Sequence, residues 1–348
     1  MVTALSAASS ARRDEMLLWT HLRRNAEQNP DRIAVVHGSL RLGYADLVVR
    51  AELLAGAMTD IGVGAGDVVS YQLPNCPEAI LVVLAALRIG AIANPIVPIY
   101  RSKEVGFILA QANPKIVFAP ARYRGFEHTA MMQGLTPPDC TVIACGEAAD
   151  GLVSFDAFLA SAKTAGMADD QSPDADALLL YTSGTEGDPK GVRHSQRNLV
   201  TEALSVIAAT DVGPDDALFM ASPLTHITGF MYGSILAVVL NAKLCLLDGW
   251  APEAAADLIA AEGCSWTVGA TPFLQGLLDE RLAGRVTGLK KFRCGGADVP
   301  PSLIRAAQAR GIRAMRTYGC SEHPTISGSV FDDPEKAATP DGRVRPAQ

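Results

Sequence analysis

The sequence is short of basic charge, of long apolar runs and of patterned cysteine. Lys and Arg number 30 against 37 Asp and Glu, a formal net charge of −7. Sequence-independent nucleic-acid binding needs a basic footprint, so that class is excluded. The longest apolar run, Ala79 to Leu87, has nine residues and ends at Arg88. A membrane-spanning helix needs about 20, so no span is expected. Met1 to Arg13 is small and polar, without the apolar stretch of a secretory leader. The seven cysteines are odd in number, irregular in spacing and form no C-x-x-C. That pattern argues against a disulfide framework or a zinc site, and for reduced, mostly buried thiols in a cytoplasm.

What is present points to a two-part α/β protein. At 348 residues, 49% hydrophobic and 19% charged, the chain can bury a sizeable core. Roughly 150 residues per domain makes this about two domains. Near-continuous apolar runs predict strands at Ile33–Val36, Val68–Leu73, Ile116–Phe118, Val142–Cys145, Ala177–Tyr181, Ala217–Ala221, Leu244–Leu247 and Trp266–Val268. Such runs read as strands buried on both faces. Helical patterns cover Asp14–Gln28, Tyr44–Ile61, Pro77–Ile89, Ser195–Thr210, Pro252–Glu262, Pro272–Arg281 and Pro301–Ala309, several with proline in the first turn. The alternation predicts two layered α/β lobes with largely parallel sheets. The polar, acidic stretch Lys163–Asp176 predicts a linker, dividing the chain into residues 1–165, 166–176 and 177–348.

The most informative segment is Leu178–Val192, LLLYTSGTEGDPKGV. A buried strand enters a loop of Thr182, Ser183, Gly184, Thr185, Gly187, Lys190 and Gly191. Glycines admit close backbone approach, hydroxyls and N–H groups donate to phosphate oxygens, and Lys190 adds a cation. A mobile surface loop is the alternative reading of any such composition. A Walker A loop needs G-x-x-x-x-G-K-[ST], which the Asp188-Pro189 pair between Gly187 and Lys190 breaks, and the dinucleotide fingerprint G-x-G-x-x-G is absent. An NTP hydrolase of the Walker type is thereby set aside.

YTSGTEGDPKG resembles the phosphate-loop signature of the AMP-forming acyl-adenylate superfamily, which includes acyl-CoA synthetases and peptide-synthetase adenylation domains. Further segments follow in family order and extend the resemblance over residues 14 to 346. Leu42 to Leu47 resembles the early T-Y-x-E-L helix start, and Gly90 to Pro95 the G-A-x-x-x-P strand entry. Pro223 to Gly229 resembles the segment whose His or aromatic residue, here His226, stands between nucleotide and acyl pocket. Cys294-Gly295-Gly296-Ala297 resembles the Gly-Gly-Ala turn along adenine and acyl carboxylate. Tyr318-Gly319-Cys320-Ser321-Glu322 resembles Y-G-x-[TS]-E, in which Tyr stacks on adenine, the hydroxyl contacts the α-phosphate and Glu binds magnesium.

The resemblance implies two steps. A carboxylate attacks the α-phosphorus of ATP and releases pyrophosphate; a thiol, typically coenzyme A, then takes the acyl group. An anion approaching a polyanion needs charge neutralisation and alignment. Lys190 with the loop hydroxyls is expected at the β- and γ-phosphates, Mg²⁺ at Glu322, and Ser321 at the α-phosphate. The expected nucleotide-binding set is Thr182, Ser183, Gly184, Thr185, Gly187, Lys190, Gly295, Gly296, Ala297, Tyr318, Gly319 and Ser321. Outside this context Glu322 and Lys190 read as solvated surface charges and Tyr318 as a core aromatic. His226 reads equally as a helix-start residue with a satisfied hydrogen bond. His194 reads as structural, and His323 either lines the site or is exposed beside it. Glu186 departs from the family loop, where Thr is usual.

The expected acyl pocket includes His226, Gly229, Phe230, Trp250, Ala270, Thr271 and Ala297, with no charged residue among them. That favours an apolar acid, medium-chain, alicyclic or aromatic. The expected partners are this small acid and, for the chain itself, a homodimer. The family's later ribose-binding Asp, its hinge and its small lysine-bearing domain have no counterpart in these residues. The expectation is therefore the large N-terminal part of an acid–CoA ligase, with an incomplete β-barrel subdomain. The alternatives are a fragment that holds ATP or acyl-adenylate without turnover, and a ligase that delivers to a carrier protein.

Overall fold

The computed structural model describes residues 13–146, 151–163, 171–182, 189–329 and 343–344. The chain forms two compact units, one of residues 1–31 and 43–201 and the other of residues 32–42 and 202–348.

Among the described residues the first unit carries a seven-stranded sheet. Edge to edge it runs Gly191–Ser195, Asp176–Tyr181, Ile92–Pro95, Val68–Tyr71, Ile116–Pro120, Thr141–Cys145 and Val153–Ser154. All neighbours pair in parallel except Gly191–Ser195, which is antiparallel to Asp176–Tyr181. Every residue of Ile116–Pro120 is buried, as a strand covered on both faces requires. The helix Pro77–Arg88 has proline in its first turn, Glu78 near its amino end and Arg88 at its carboxyl end, which suits the helix dipole. Its residues from Ala79 to Leu87 are all buried, so the longest apolar run is a core helix. Among the described residues no helix is long and apolar enough to cross a membrane.

The second unit's nine-stranded sheet, counted over described residues, runs Arg343–Val344, Ser327–Gly328, Arg313–Tyr318, Lys291–Cys294, Trp266–Gly269, Ala217–Met220, Lys243–Leu246, Ile33–His37 and Leu40–Gly43. From Arg313–Tyr318 to Ile33–His37 all neighbours are parallel. Phe219, Cys245, Phe292 and Cys294 point to one face, into a core shared with Ile259, Leu274 and Ile304 of the covering helices.

The predicted strands and helices all appear within a few residues, and the mixed, mostly parallel α/β class is as expected. The expected division at 166–176 moves. Asp176–Tyr181 pairs with Ile92–Pro95 and carries Gly191–Ser195 as a hairpin partner, so both strands belong to the first unit. The polar stretch therefore precedes a strand next to the edge of the first sheet, and the units change over at Thr201. All seven cysteines are free; Cys140 and Cys320 are half-buried and the rest buried.

Candidate active site

The parallel strands of the second unit bring their carboxyl ends to one edge, and the chain order reverses there. From Met220 the chain passes to Lys243–Leu246 on one side. It then crosses back, and Trp266–Gly269, Lys291–Cys294 and Arg313–Tyr318 extend the sheet on the other. Open α/β sheets bind ligands at carboxyl ends flanking such a reversal. Leaving this edge are His226, Ala270 and Thr271, Gly295 to Ala297, and Tyr318 to Glu322, all selected from the sequence.

After Met220 the chain makes a tight turn. The His226 N–H donates to the Pro223 carbonyl at 2.9 Å, and the Phe230 N–H to the His226 carbonyl at 2.8 Å. His226 caps the helix Ile227–Gly229, its Nδ1 accepting from the Thr228 N–H at 3.4 Å. A Cβ at Gly229 would overlap the Pro223 carbonyl, so only glycine fits. The outer side of His226 is exposed. The protein around its ring still disfavours the charged form and holds its pKa below the ordinary histidine value. The helix continues as a π-helical stretch, Phe230–Ile235, a local form common at functional sites. Phe230 and Tyr232 in it are buried.

Beyond Cys294 the backbone is bare. The Gly295 N–H donates to the Gly269 carbonyl at 3.2 Å. A Cβ at Gly295 would overlap the Thr317 carbonyl, and Gly296 has φ +80° with open space around it. Thr271 Oγ1 donates to the Asp298 carbonyl at 2.7 Å, tying two strand ends together. Burial pushes the Cys294 thiol up to about 11, so at neutral pH it is no thiolate nucleophile.

Tyr318 ends its strand 63% exposed. The loop after it folds back, with the Cys320 N–H donating to the His323 carbonyl and the Ile326 N–H to the Tyr318 carbonyl, each at 2.9 Å. Ser321 is half-buried and Glu322 and His323 are exposed. Among the described residues no group of three or more His, Cys, Asp or Glu could hold a metal. A magnesium ion at Glu322 would take one carboxylate from the protein and the rest from phosphate and water, which is how that ion is commonly held.

In the first unit, Thr182 and Lys190 close the Asp176–Tyr181/Gly191–Ser195 hairpin. The Thr182 N–H donates to the Lys190 carbonyl at 3.0 Å and the Lys190 N–H to Thr182 Oγ1 at 3.4 Å. Lys190 is exposed. A strand follows this loop directly, whereas a Walker loop opens a helix. Ser183, Gly184, Thr185, Glu186 and Gly187 lie outside the described residues. His194 is buried within Gly191–Ser195.

Two packing features lie beside residues of the expected acyl pocket. Trp250 stacks on Phe273, ring centroids 4.5 Å apart, and packs on the core cluster with Phe292 and Cys294. Strand alternation puts Arg293 on the opposite face, so Trp250 is not brought together with it. Arg293 itself went unnoticed in the sequence. It is fully buried, and its guanidinium carbon lies 5.3 Å from the centroid of Tyr232, in the same π-helical stretch as Phe230 of the expected pocket. The signal that could have found it is K-F-R-C, a strand whose alternate residues are cations.

The AMP-binding enzyme family matches residues 22–347. The chain belongs to that family. It is 32% identical over 326 residues to the medium-chain fatty-acid–CoA ligase of Escherichia coli strain K12, covering 91% of this chain and 57% of the relative. It is 30% identical to the sulfoacetate–CoA ligase of Cupriavidus necator, covering 84% of this chain and 56% of that enzyme. The chain thus spans rather more than half the length of these relatives. Among solved structures it is similar to ATP-bound MatB from Rhodopseudomonas palustris, at a TM-score of 0.79 and 26% identity, covering 91% of this chain and 62% of MatB.

Proposed function

We propose that the chain forms the ATP- and acid-binding part of an AMP-forming carboxylic acid–CoA ligase. The observation that carries this is the edge of the second sheet, where the Gly295-Gly296 backbone, an exposed Tyr318 and Glu322 follow the strands beside the chain reversal. The family match and the CoA-ligase relatives support it.

ATP is a substrate in this scheme. Tyr318 offers a ring face to adenine, Gly295 to Ala297 leave backbone room beside it, and Ser321 donates to the α-phosphate. Thr182, Ser183, Gly184, Thr185, Gly187 and Lys190 hold the β- and γ-phosphates. Magnesium, when bound at Glu322, neutralises phosphate charge. The acid's carboxylate oxygen forms the bond to the α-phosphorus, and the bond to the bridging oxygen breaks as pyrophosphate leaves. The protein supplies no nucleophile, consistent with the protonated Cys294. His226, kept neutral by desolvation, adds no positive charge between nucleotide and acid. Coenzyme A sulfur then displaces AMP from the acyl carbon.

Phe230 and Tyr232 give the acid an apolar surround. The two relatives are named for a fatty acid, apolar to its end, and for sulfoacetate, which bears a second anion; together they leave the far end of this acid open.

The test is acid-dependent exchange of labelled pyrophosphate into ATP, with binding of a non-hydrolysable acyl-adenylate analogue. Exchange that weakens in Lys190→Ala and Glu322→Gln is expected. Absence of both exchange and saturable analogue binding would overturn the reading. Binding without exchange would leave a ligand-holding fragment.

A further inference from the structure

Lys291 and Arg293 stand two residues apart on one strand and share one face of the sheet. Both are buried, at 8% and 0% exposure. Lys291 shows how a buried cation is ordinarily kept: its Nζ lies 3.3 Å from Asp216 Oδ2 and donates to the Asp211 carbonyl. Among the described residues Arg293 has no carboxylate partner. Its Nη2 donates to Thr317 Oγ1 at 3.0 Å, while Nε and Nη1 have no hydrogen-bond partner. A guanidinium cannot shed its proton, and buried charges are normally paired. The Tyr232 ring meets part of that need by a cation–π contact but accepts nothing from the two free donors. Trp266 packs against the same Tyr232 ring, centroids 6.0 Å apart, and its Nε1 also lacks a partner. Around Tyr232 there are thus unsatisfied donors on two side chains and one uncompensated positive charge.

Depth decides what could answer them. Along the segment from His226 to Tyr232, exposure falls from an open histidine to a buried tyrosine. Gly296 and Tyr318, proposed at the nucleotide, are exposed as well. The carboxylate that meets ATP therefore belongs at this open end, and Arg293 lies at the buried end. Resting on the adenylation reading above, we propose that Arg293, assisted by Trp266, receives a second anionic group, carboxylate or sulfonate, at the far end of the acid. The substrate is then a dianion with an apolar middle, not an acid apolar throughout.

The experiment compares acyl-sulfamoyl-adenosine analogues of equal chain length that end in methyl, carboxylate or sulfonate, binding to the 348-residue chain by calorimetry. At least one anion-ended analogue is expected to bind about tenfold or more tighter than the methyl-ended one, the scale of one buried charge-assisted hydrogen bond. Which anion wins identifies the group. Arg293→Met should abolish the preference while leaving methyl-ended affinity within about threefold, and Arg293→Lys should keep part of it. A methyl-ended analogue that binds as well as both others overturns the Arg293 proposal alone, and this needs no variant to fold. A preference that survives in folded Arg293→Met does the same. Binding of none of the three overturns the adenylation reading, and this proposal with it.

Discussion

At the amino ends of the second unit's parallel strands, the buried charges are answered from within. Asp216 accepts from the Ser265 hydroxyl at 2.6 Å and from the Gly213 N–H at 2.9 Å, and pairs with Lys291. Lys243 donates to the Glu262 carbonyl at 2.7 Å and pairs with its carboxylate at 3.2 Å, and Arg41 pairs with the same carboxylate. At the carboxyl ends the same strands leave bare glycine backbone, an uncovered Tyr318, and below them a guanidinium with two idle donors. Polar groups closed on one another pin strands together. Polar groups left open mark where a ligand must supply the partner. One strand, Lys291–Cys294, shows both conditions two residues apart.

The largest expected effect lies at the closed edge. Asp216→Ala takes the nearer carboxylate from the buried Lys291 and leaves it Asp211, 3.8 Å away; the loss should approach about 3–5 kcal/mol, the cost of breaking a buried pair. Urea unfolding should show it, whereas Tyr318→Ala at the open edge should stay within about 0.5 kcal/mol. If Asp216→Ala proves as mild as Tyr318→Ala, the contrast between the edges fails. Next in size is Gly295→Ala. Its methyl would collide with the Thr317 carbonyl, and overpacking of this kind costs about 1–3 kcal/mol. Gly284→Ala, with φ +83° but nothing within reach, isolates backbone strain from collision; equal losses in the two variants would remove the close-approach argument. Tyr318→Ala then reverses the ranking in binding. It should weaken Mg-ATP affinity by about 1–3 kcal/mol, the range for a base stacked on an aromatic ring, with Tyr318→Phe close to wild type. Unchanged affinity in Tyr318→Ala would sink the adenine role.

The cores are legible in the sequence, and the reason is physical. Ile116–Pro120 and Trp266–Gly269 are buried on both faces, so hydropathy alone announces them. Lys291–Cys294 and Arg313–Tyr318 are also internal to the sheet but carry two cations each, Lys291 and Arg293 in one and Arg313 and Arg316 in the other, which breaks an apolar run. Tertiary partners far away in sequence, Asp216 and Asp211, make the Lys291 and Arg313 charges tolerable. The helical segment from Ile227 to Leu240 was missed for a different reason. Gly229 and Gly233 lower its helix propensity but are demanded by contact with the Pro223 carbonyl and the Leu224 side chain. Of the candidate site, the segments at the strand ends were legible because their glycines and hydroxyls are local. Arg293 was not, since its lack of a counter-charge is a property of the fold.

The smallest effect is a pH dependence that separates the two edges. Burial alone would raise the Asp216 pKa, but the Ser265 hydroxyl, the Gly213 N–H and Lys291 outweigh it and bring it below the ordinary 3.8. A depressed carboxylate contributes stability above its unfolded pKa and loses it as pH falls through the folded one. That loss belongs below about pH 3.8. His226 is also depressed, from 6.5, by desolvation. The unfolded chain therefore takes up its proton first, and the His226 contribution starts to fall as pH drops below 6.5. Melting temperatures of wild type and His226→Gln, measured from pH 7.5 to 5, should converge as the pH falls, because only the wild type loses this contribution. The change should be slight, because the outer side of His226 is open to solvent. Asp216→Asn should leave that convergence intact and flatten only the steeper loss at lower pH. Convergence above pH 5 that instead vanishes in Asp216→Asn would mean that the two edges titrate as one.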